Sequence, residues 1–398
     1  MRKVIAGFLA ILFAFQTSIF VTGEETEQIT EECQLNFDGV NANQSVHFQT
    51  DLGPRLPGSL ASASLRESIK SNLTGWHITE STHHSNGMTL TNLYATWNKG
   101  EGSTVMFAAH YDSRHKAERD WNESRKDQPI DGANDGASGV AVLLELARII
   151  PTMNLSHEIT LFFTDGEDQG DNHSTYVLGA KAWAENLSQQ DADQIESFVL
   201  VDMVGDSDLT LRKTSPGNSE LWNRTEQIIR NIDEVCELND SSYFDFERVD
   251  GIYDDHVPAH NLGIPAIDII DTRYGEGAKY LEGHWHTHND TIDKVSAESL
   301  QTVGFILEYG LISGSWLNIR MQTVESNDTD LDGIIDSEDE CPLESGEDPN
   351  GCMDTDSDPS IASQEIDDLT TGVTLALCLI IICSILIWNI YADNQGEG

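Results

Sequence analysis

The stretch Thr104-Val-Met-Phe-Ala-Ala-His110-Tyr-Asp112 decides the fold. Thr104–Ala109 has the length and apolar content of a buried strand, and it runs straight into an imidazole and a carboxylate. Three runs of the same kind follow, at Glu158–Thr164, Ser197–Val204 and Ala266–Ile270. Helical patterns lie between them, at Ala137–Ile150, Gly179–Asn186 and Ser219–Ile232, and a long one begins at Ser296. Pro151 closes the first helix, because proline has no N–H to extend the ladder. Strand and helix in alternation predict an α/β fold: a mixed, mainly parallel sheet sandwiched by helices.

The polar residues beside these runs then acquire a position. His110, Asp112, Glu167 and Asp168 directly follow strands, and Asp202 sits late in one. Open α/β sheets bind ligands outside the carboxyl ends of their strands, so residues far apart in sequence converge on one edge. Asp135 stands near a helix start, in the turn Asp131-Gly-Ala-Asn-Asp135-Gly-Ala-Ser-Gly, where a carboxylate can bridge two cations. His286 completes the series His, Asp, Glu-Asp, Asp, His. Imidazole nitrogen and carboxylate oxygen are the donors a catalytic zinc accepts. Asp112 is placed to hold the ring of His110 from behind. Glu167 and Asp168 share a loop, so one can face a metal and the other a substrate proton.

Composition bounds the rest. The 398 residues carry 68 acidic and 22 basic side chains, a net charge of −46. That surface repels nucleic acid and most anionic membranes, and its self-repulsion is screened in a salty medium. Arg2 and Lys3, the apolar run Val4–Val21 and small residues near Gly23 read as a signal peptide over 1–23. A polar leader over 24–50, a catalytic domain over 51–322 and an acidic linker over 323–367 are expected next. The uncharged run Leu369–Tyr391 is long enough to span a bilayer, giving a transmembrane helix over 368–392 and a short tail over 393–398. The expected location is the cell membrane, single-pass, with the catalytic domain extracellular. In the linker, Asp328, Asp330 and Asp332 alternate before Gly333, with Asp336 and Asp339 following. This is an oxygen-rich calcium loop similar to a thrombospondin type 3 repeat, or else a solvated acidic linker. Cys33 and Cys236 could pair in an oxidising exterior.

As a set, the motifs HYDS, GANDGASGVAVLLELAR, FFTDGED, LVDMVG, YDDHVPAHNLGIPAID and HWHTHNDTIDKVS resemble the zinc aminopeptidases of metallopeptidase family twenty-eight, and particularly their glutaminyl cyclase branch. The resemblance extends from about Gly53 to Tyr309. It implies metal ligands at His110, Asp135, Asp168, Asp202 and His286, with Asp135 bridging. It implies Glu167 as general acid/base, Asp202 and Asp255 as further catalytic carboxylates, and Trp285 as a substrate-packing ring. The family usually carries Glu-Glu where this chain has Glu167-Asp168. Single-zinc cyclases resemble the subset Asp135, Asp168 and His286, and two-zinc peptidases add His110 and Asp202, so one or two zinc ions both fit.

The implied function is a zinc-dependent enzyme acting on peptide or protein N-termini. It would convert N-terminal Gln to pyroglutamate with loss of ammonia, or as an aminopeptidase release the first residue. A non-enzymatic receptor or adhesion ectodomain ranks below both, because every ligand position is kept. The polar loop Ser113–Ile130 holds Arg114, Lys116, Arg119, Arg125 and Lys126. It reads either as a rim that attracts acidic peptides or as a solvated loop.

Overall fold

A computed structural model describes residues 33–236, 238 and 243–320. The expected signal peptide, transmembrane helix, tail and calcium-loop aspartates lie outside these residues. Among the described residues, no helix is long and apolar enough to cross a membrane.

The four apolar runs are adjacent parallel strands: β3 (Thr104–His110), β4 (Glu158–Thr164), β5 (Ile195–Asp202) and β8 (Ala266–Ile270). Their centres are rich in apolar residues because both of their faces are covered. Phe107, Leu161, Phe163 and Val199 belong to one apolar layer with helices α1 (Gly39–Asp51), α3 (Ala137–Ile149) and α8 (Ala297–Ile312). The alternate residues Met106, Phe162, Phe198 and Leu200 form the opposite layer with α4 (Leu178–Asn186) and α7 (His256–Asn261). An antiparallel hairpin, β1 (His77–Ser85) and β2 (Met88–Trp97), extends the sheet to the order β1-β2-β4-β3-β5-β8. A mainly parallel sheet flanked by helices is therefore what the alternation of runs specified.

Strand order reverses at β3, with β4 on one side of it and β5 on the other. That reversal opens a crevice at the carboxyl ends of the strands. Helix α3 closes its underside by lying directly on the sheet. A Cβ on Gly139 would come within 2.1 Å of the Val201 carbonyl, so only glycine permits this approach. A separate parallel ribbon, β6 (Leu211–Ser215) and β7 (Phe244–Gly251), is linked through α6 (Ser219–Cys236) and delivers the next segment to the crevice. Helix α2 (Leu60–Asn72) adds Leu65 and Ile69 to the larger core, and the short α5 (Gln189–Ala192) leads into β5.

The stretch read as a polar leader over 24–50 is corrected from Phe37 onward: this part is integral to the core. Asp38 caps α1, whose Ala42 and Val46 are buried against the domain. The buried carboxylate of Glu308 accepts from the Asn36 and Phe37 backbone N–H groups at 2.8 Å. The apolar stripe of α1 is only one or two side chains wide, so overall polarity hides it. Cys33 and Cys236 form a disulfide that ties this segment to the end of α6.

Candidate active site

His110 ends β3 and Asp202 ends β5, and the parallel register brings both to one edge. The Nε2 of His110 lies 3.1 Å from Asp202 Oδ1 and 3.2 Å from Asp135 Oδ1. Asp168 follows β4, and its Oδ1 lies 3.2 Å from His286 Nε2. The other oxygen of Asp135, Oδ2, is 3.6 Å from the same nitrogen. Two triads result, His110–Asp135–Asp202 and Asp135–Asp168–His286. Within each, the donor atoms lie within 4.8 Å of one another. Asp135 presents one oxygen to each triad.

Several neighbours fix these side chains. Gly136 faces the His110 ring, and a Cβ there would sit 2.6 Å from its Cε1. Asp290 accepts from the Asn134 N–H at 2.8 Å and the Asp135 N–H at 3.3 Å, which holds the turn carrying the shared ligand. Asp112 does something other than expected. Its Oδ1 is 3.5 Å from His110 Nδ1, too long for a hydrogen bond. It accepts instead from the backbone N–H groups of Gly166, Glu167 and Asp168 at 2.9, 3.1 and 3.1 Å, and so shapes the loop that bears both acids. Behind His286, Glu118 lies 2.8 Å from Nδ1. Buried Arg114 links Glu118 to Asp168, donating to each carboxylate and to the Asp168 and Gly170 carbonyls. His286 itself has φ of 54°, a left-handed backbone that costs a non-glycine residue roughly 1–2 kcal/mol.

A cavity of about 460 Å³ opens onto the triads, lined by Asp135, Asp168, Asp202 and His286, by Glu167 and Asp254, and by Ile252, Tyr253, Leu281 and Trp285. Burial lifts the Glu167 carboxyl well above the usual range, and Asp254 adds to the lift. Burial likewise raises Asp254, with Asp202 and Asp255 behind it. Behind the cavity, Asp268 is fully buried, neither of its oxygens has a hydrogen-bond partner among the described residues, and His256 Nδ1 lies 3.7 Å from it. Burial pushes the Asp268 carboxyl up and the His256 imidazole down to about 4.

The donor set fits a metal ion such as zinc. Burial opposes charge on both histidines, yet the carboxylates outweigh it. Asp202 leads in raising His110 well above its ordinary value, and Asp168 leads in raising His286 to about 9. Burial lifts Asp168 to about 6 against the pull of His286. Asp168 Oδ2 and His110 Nδ1 are buried without hydrogen-bond partners among the described residues. So many enclosed carboxylates call for a cation, and nitrogen and oxygen donors suit zinc.

Of the residues expected from sequence, His110, Asp135, Glu167, Asp168, Asp202, Trp285 and His286 are brought together. Asp255 is not. It is fully buried, and Thr164 Oγ1 donates to its Oδ2. Its neighbour Asp254 is the one that lines the cavity. Trp285 stacks on His286 with ring centres 3.7 Å apart, so one face of its ring is taken by the ligand beside it. His284, His286 and His288 alternate in the sequence but turn to different partners. His288 lies 2.8 Å from Asp120, and His284 sits edge-on to Tyr274. Glu118 and Arg114 escaped the sequence reading because a polar loop has no periodicity to mark inward-facing residues.

Comparison with known proteins gives a consistent picture. Residues 92–310 match the family model of Peptidase family M28. A glutaminyl-peptide cyclotransferase from Bothrops jararaca is 27% identical over 314 residues, covering 67% of this chain and 82% of that protein. The crystal structure of Bacteroides thetaiotaomicron glutaminyl cyclase superposes with a TM-score of 0.64 at 26% identity, covering 70% of this chain and 98% of that one. A leucine aminopeptidase precursor from the same organism gives 0.63 at 26% identity, with the same coverage.

Proposed function

The chain belongs to peptidase family M28, and from that premise we propose that it is a zinc-dependent glutaminyl-peptide cyclotransferase. One observation carries the choice of reaction: Glu167 and Asp254, close enough to influence each other's charge, line a cavity that also presents Ile252, Tyr253, Leu281 and Trp285. Cyclisation uses the peptide's own amine as nucleophile, so an apolar pocket of about 460 Å³ that favours one side chain over water suits it.

Zinc held at Asp135, Asp168 and His286, with or without a second ion at His110 and Asp202, would supply Lewis acidity toward the side-chain amide carbonyl. The chain's own residues do the rest. The substrate's α-amino nitrogen bonds to the amide carbon, and the bond from that carbon to the amide nitrogen breaks. Glu167 takes the proton that the amine loses and delivers it to the departing ammonia. Burial and the neighbouring Asp254 raise its carboxyl above the usual range, which makes it a stronger base than an exposed carboxylate. Asp254 faces the same space and accepts a hydrogen bond from the reacting nitrogen. Arg114 and Glu118 keep Asp168 and His286 in place.

Aminopeptidase action is the second reading, favoured by the paired triads that share Asp135. Peptides beginning with Gln and with Leu, followed by mass spectrometry, separate the two. Loss of ammonia from the Gln peptide alone supports cyclotransfer, and release of a free first residue from either overturns it. The proposal also puts the domain outside the cell, tethered through 369–391. Protection of the domain from protease added to intact cells would contradict that placement.

A further inference from the structure

With 68 acidic residues for 22 basic ones, cations in this chain find carboxylates easily. On the loop 113–130 most have done so. Arg114 is buried against Asp168 and Glu118, Lys116 pairs with Asp171, and Lys126 pairs with Glu123. These pairs correct the picture of the whole loop as a basic rim. Arg119 and Arg125 keep no carboxylate among the described residues, and Arg119 is the one that meets the cavity wall. Its acidic neighbours in the chain are committed elsewhere, Glu118 to Arg114 and His286, and Asp120 to His288.

The position of Arg119 is fixed rather than loose. Its backbone N–H donates to the His286 carbonyl at 3.2 Å, and its exposed guanidinium lies 5.3 Å from the centre of the Trp285 ring. Trp285 lines the cavity. A second cation repeats the arrangement. Lys181 Nζ lies 5.3 Å from the centre of Tyr253, another wall ring, and donates only to the His173 and Tyr176 carbonyls among the described residues.

We propose that Arg119, with Lys181 as a second cation on the rim, makes this site select peptides that carry a carboxylate next to their N-terminal residue. The inference rests on the reading that the cavity takes a peptide N-terminus, and it narrows the substrate class to acidic peptides. The chain's net charge repels such peptides at long range. Two cations without a carboxylate partner among the described residues, each against a ring that lines the cavity, reverse that locally within a screening length of about 10 Å at moderate salt. A solvent-exposed pair of this kind gives up to about fivefold per contact. Arg119 stands outside the reacting atoms, so the effect falls on KM rather than kcat.

The test uses the zinc-loaded protein and the peptides Gln-Glu-Ala-Ala, Gln-Ala-Ala-Ala and Gln-Lys-Ala-Ala. The expected kcat/KM falls in that order, by about fivefold from first to last, through KM, and added salt compresses the spread. Arg119→Glu should invert the order, and Arg119→Gln should flatten it. Equal values for the three peptides, or an order unchanged in Arg119→Glu, would overturn the proposal while leaving the cyclotransferase reading intact. If no peptide is turned over, that reading falls, and calorimetric binding to zinc-loaded Glu167→Gln protein decides the inference alone. Tighter binding of the acidic peptide, lost when Arg119→Glu is added, upholds it. Any other ranking, or no binding, rejects it.

Discussion

The two triads have the same composition, one histidine and two aspartates with Asp135 in common, and they are built in opposite ways. His110 and Asp202 end neighbouring strands, so the sheet itself aims them. Asp168 and His286 sit on loops, and His286 holds a left-handed backbone. What the sheet does for the first triad, an ion-pair chain does for the second: Asp168 to Arg114, Arg114 to Glu118, Glu118 to His286. The resemblance to the family implies the longer glutamate at position 168. Here a guanidinium grips the shorter side chain and its carbonyl together. A strand-built triad inherits its geometry from the core, whereas a loop-built one depends on a few polar contacts that substitution can remove.

The sharpest break comes from the shared residue. Asp135→Ala should strip zinc from both triads and abolish turnover, read by elemental analysis of purified protein. Retention of one zinc per chain would mean that the triads do not share this ligand. Glu167→Gln removes the proton carrier but no member of either triad. It should keep its zinc while kcat falls by about 10²–10⁴. Full activity in that variant would refute the assigned base.

Smaller changes should act on one triad and spare the other. Glu118→Ala removes the partner behind His286, and zinc affinity at the second triad should fall about 10–100-fold in a calorimetric titration. Gly136→Ala drives a methyl group into the His110 ring and should weaken the first triad instead. If each variant weakened both triads equally, the contrast between strand-built and loop-built sites would fail.

A control separates acids that need a metal from acids that do not. Asp271 accepts from the Thr210 and Arg273 N–H groups at 2.8 Å each. Burial still raises its pKa from 3.8 to about 7, with those hydrogen bonds opposing. A carboxyl raised by folding stabilises the fold while protonated. Its contribution is complete below about 4 and is lost as the pH rises through about 7, at most roughly 4 kcal/mol. Asp271→Asn should flatten the fall in stability across that window, with or without a chelator present. Chemical denaturation at several pH values checks this.

The sequence told most where burial was most complete. The strands β3, β4, β5 and β8 are covered on both faces and therefore read as continuous apolar runs. The hairpin strand His77–Ser85 has no fully buried residue, so it carries no apolar pattern to read. Helix α1 shows too narrow a stripe, and the ribbon β6–β7 is short and charged. Within the site, residues at strand ends were legible because the topology fixes where they point. Asp254 and Asp255 sit in a turn, where adjacent residues face opposite ways and nothing in the sequence gives the phase. Arg114 and Glu118 come from a loop that has no period at all.

The central claim is that the substrate's own amine, and not water, attacks. A Gln-initiated peptide turned over in heavy-oxygen water tests it most directly, with the products weighed by mass spectrometry. The expected product is a peptide lighter by one ammonia and free of solvent oxygen, because the ring carbonyl keeps the oxygen of the original amide. Solvent oxygen in a newly formed carboxylate, on a released first residue or on the side chain, would contradict it.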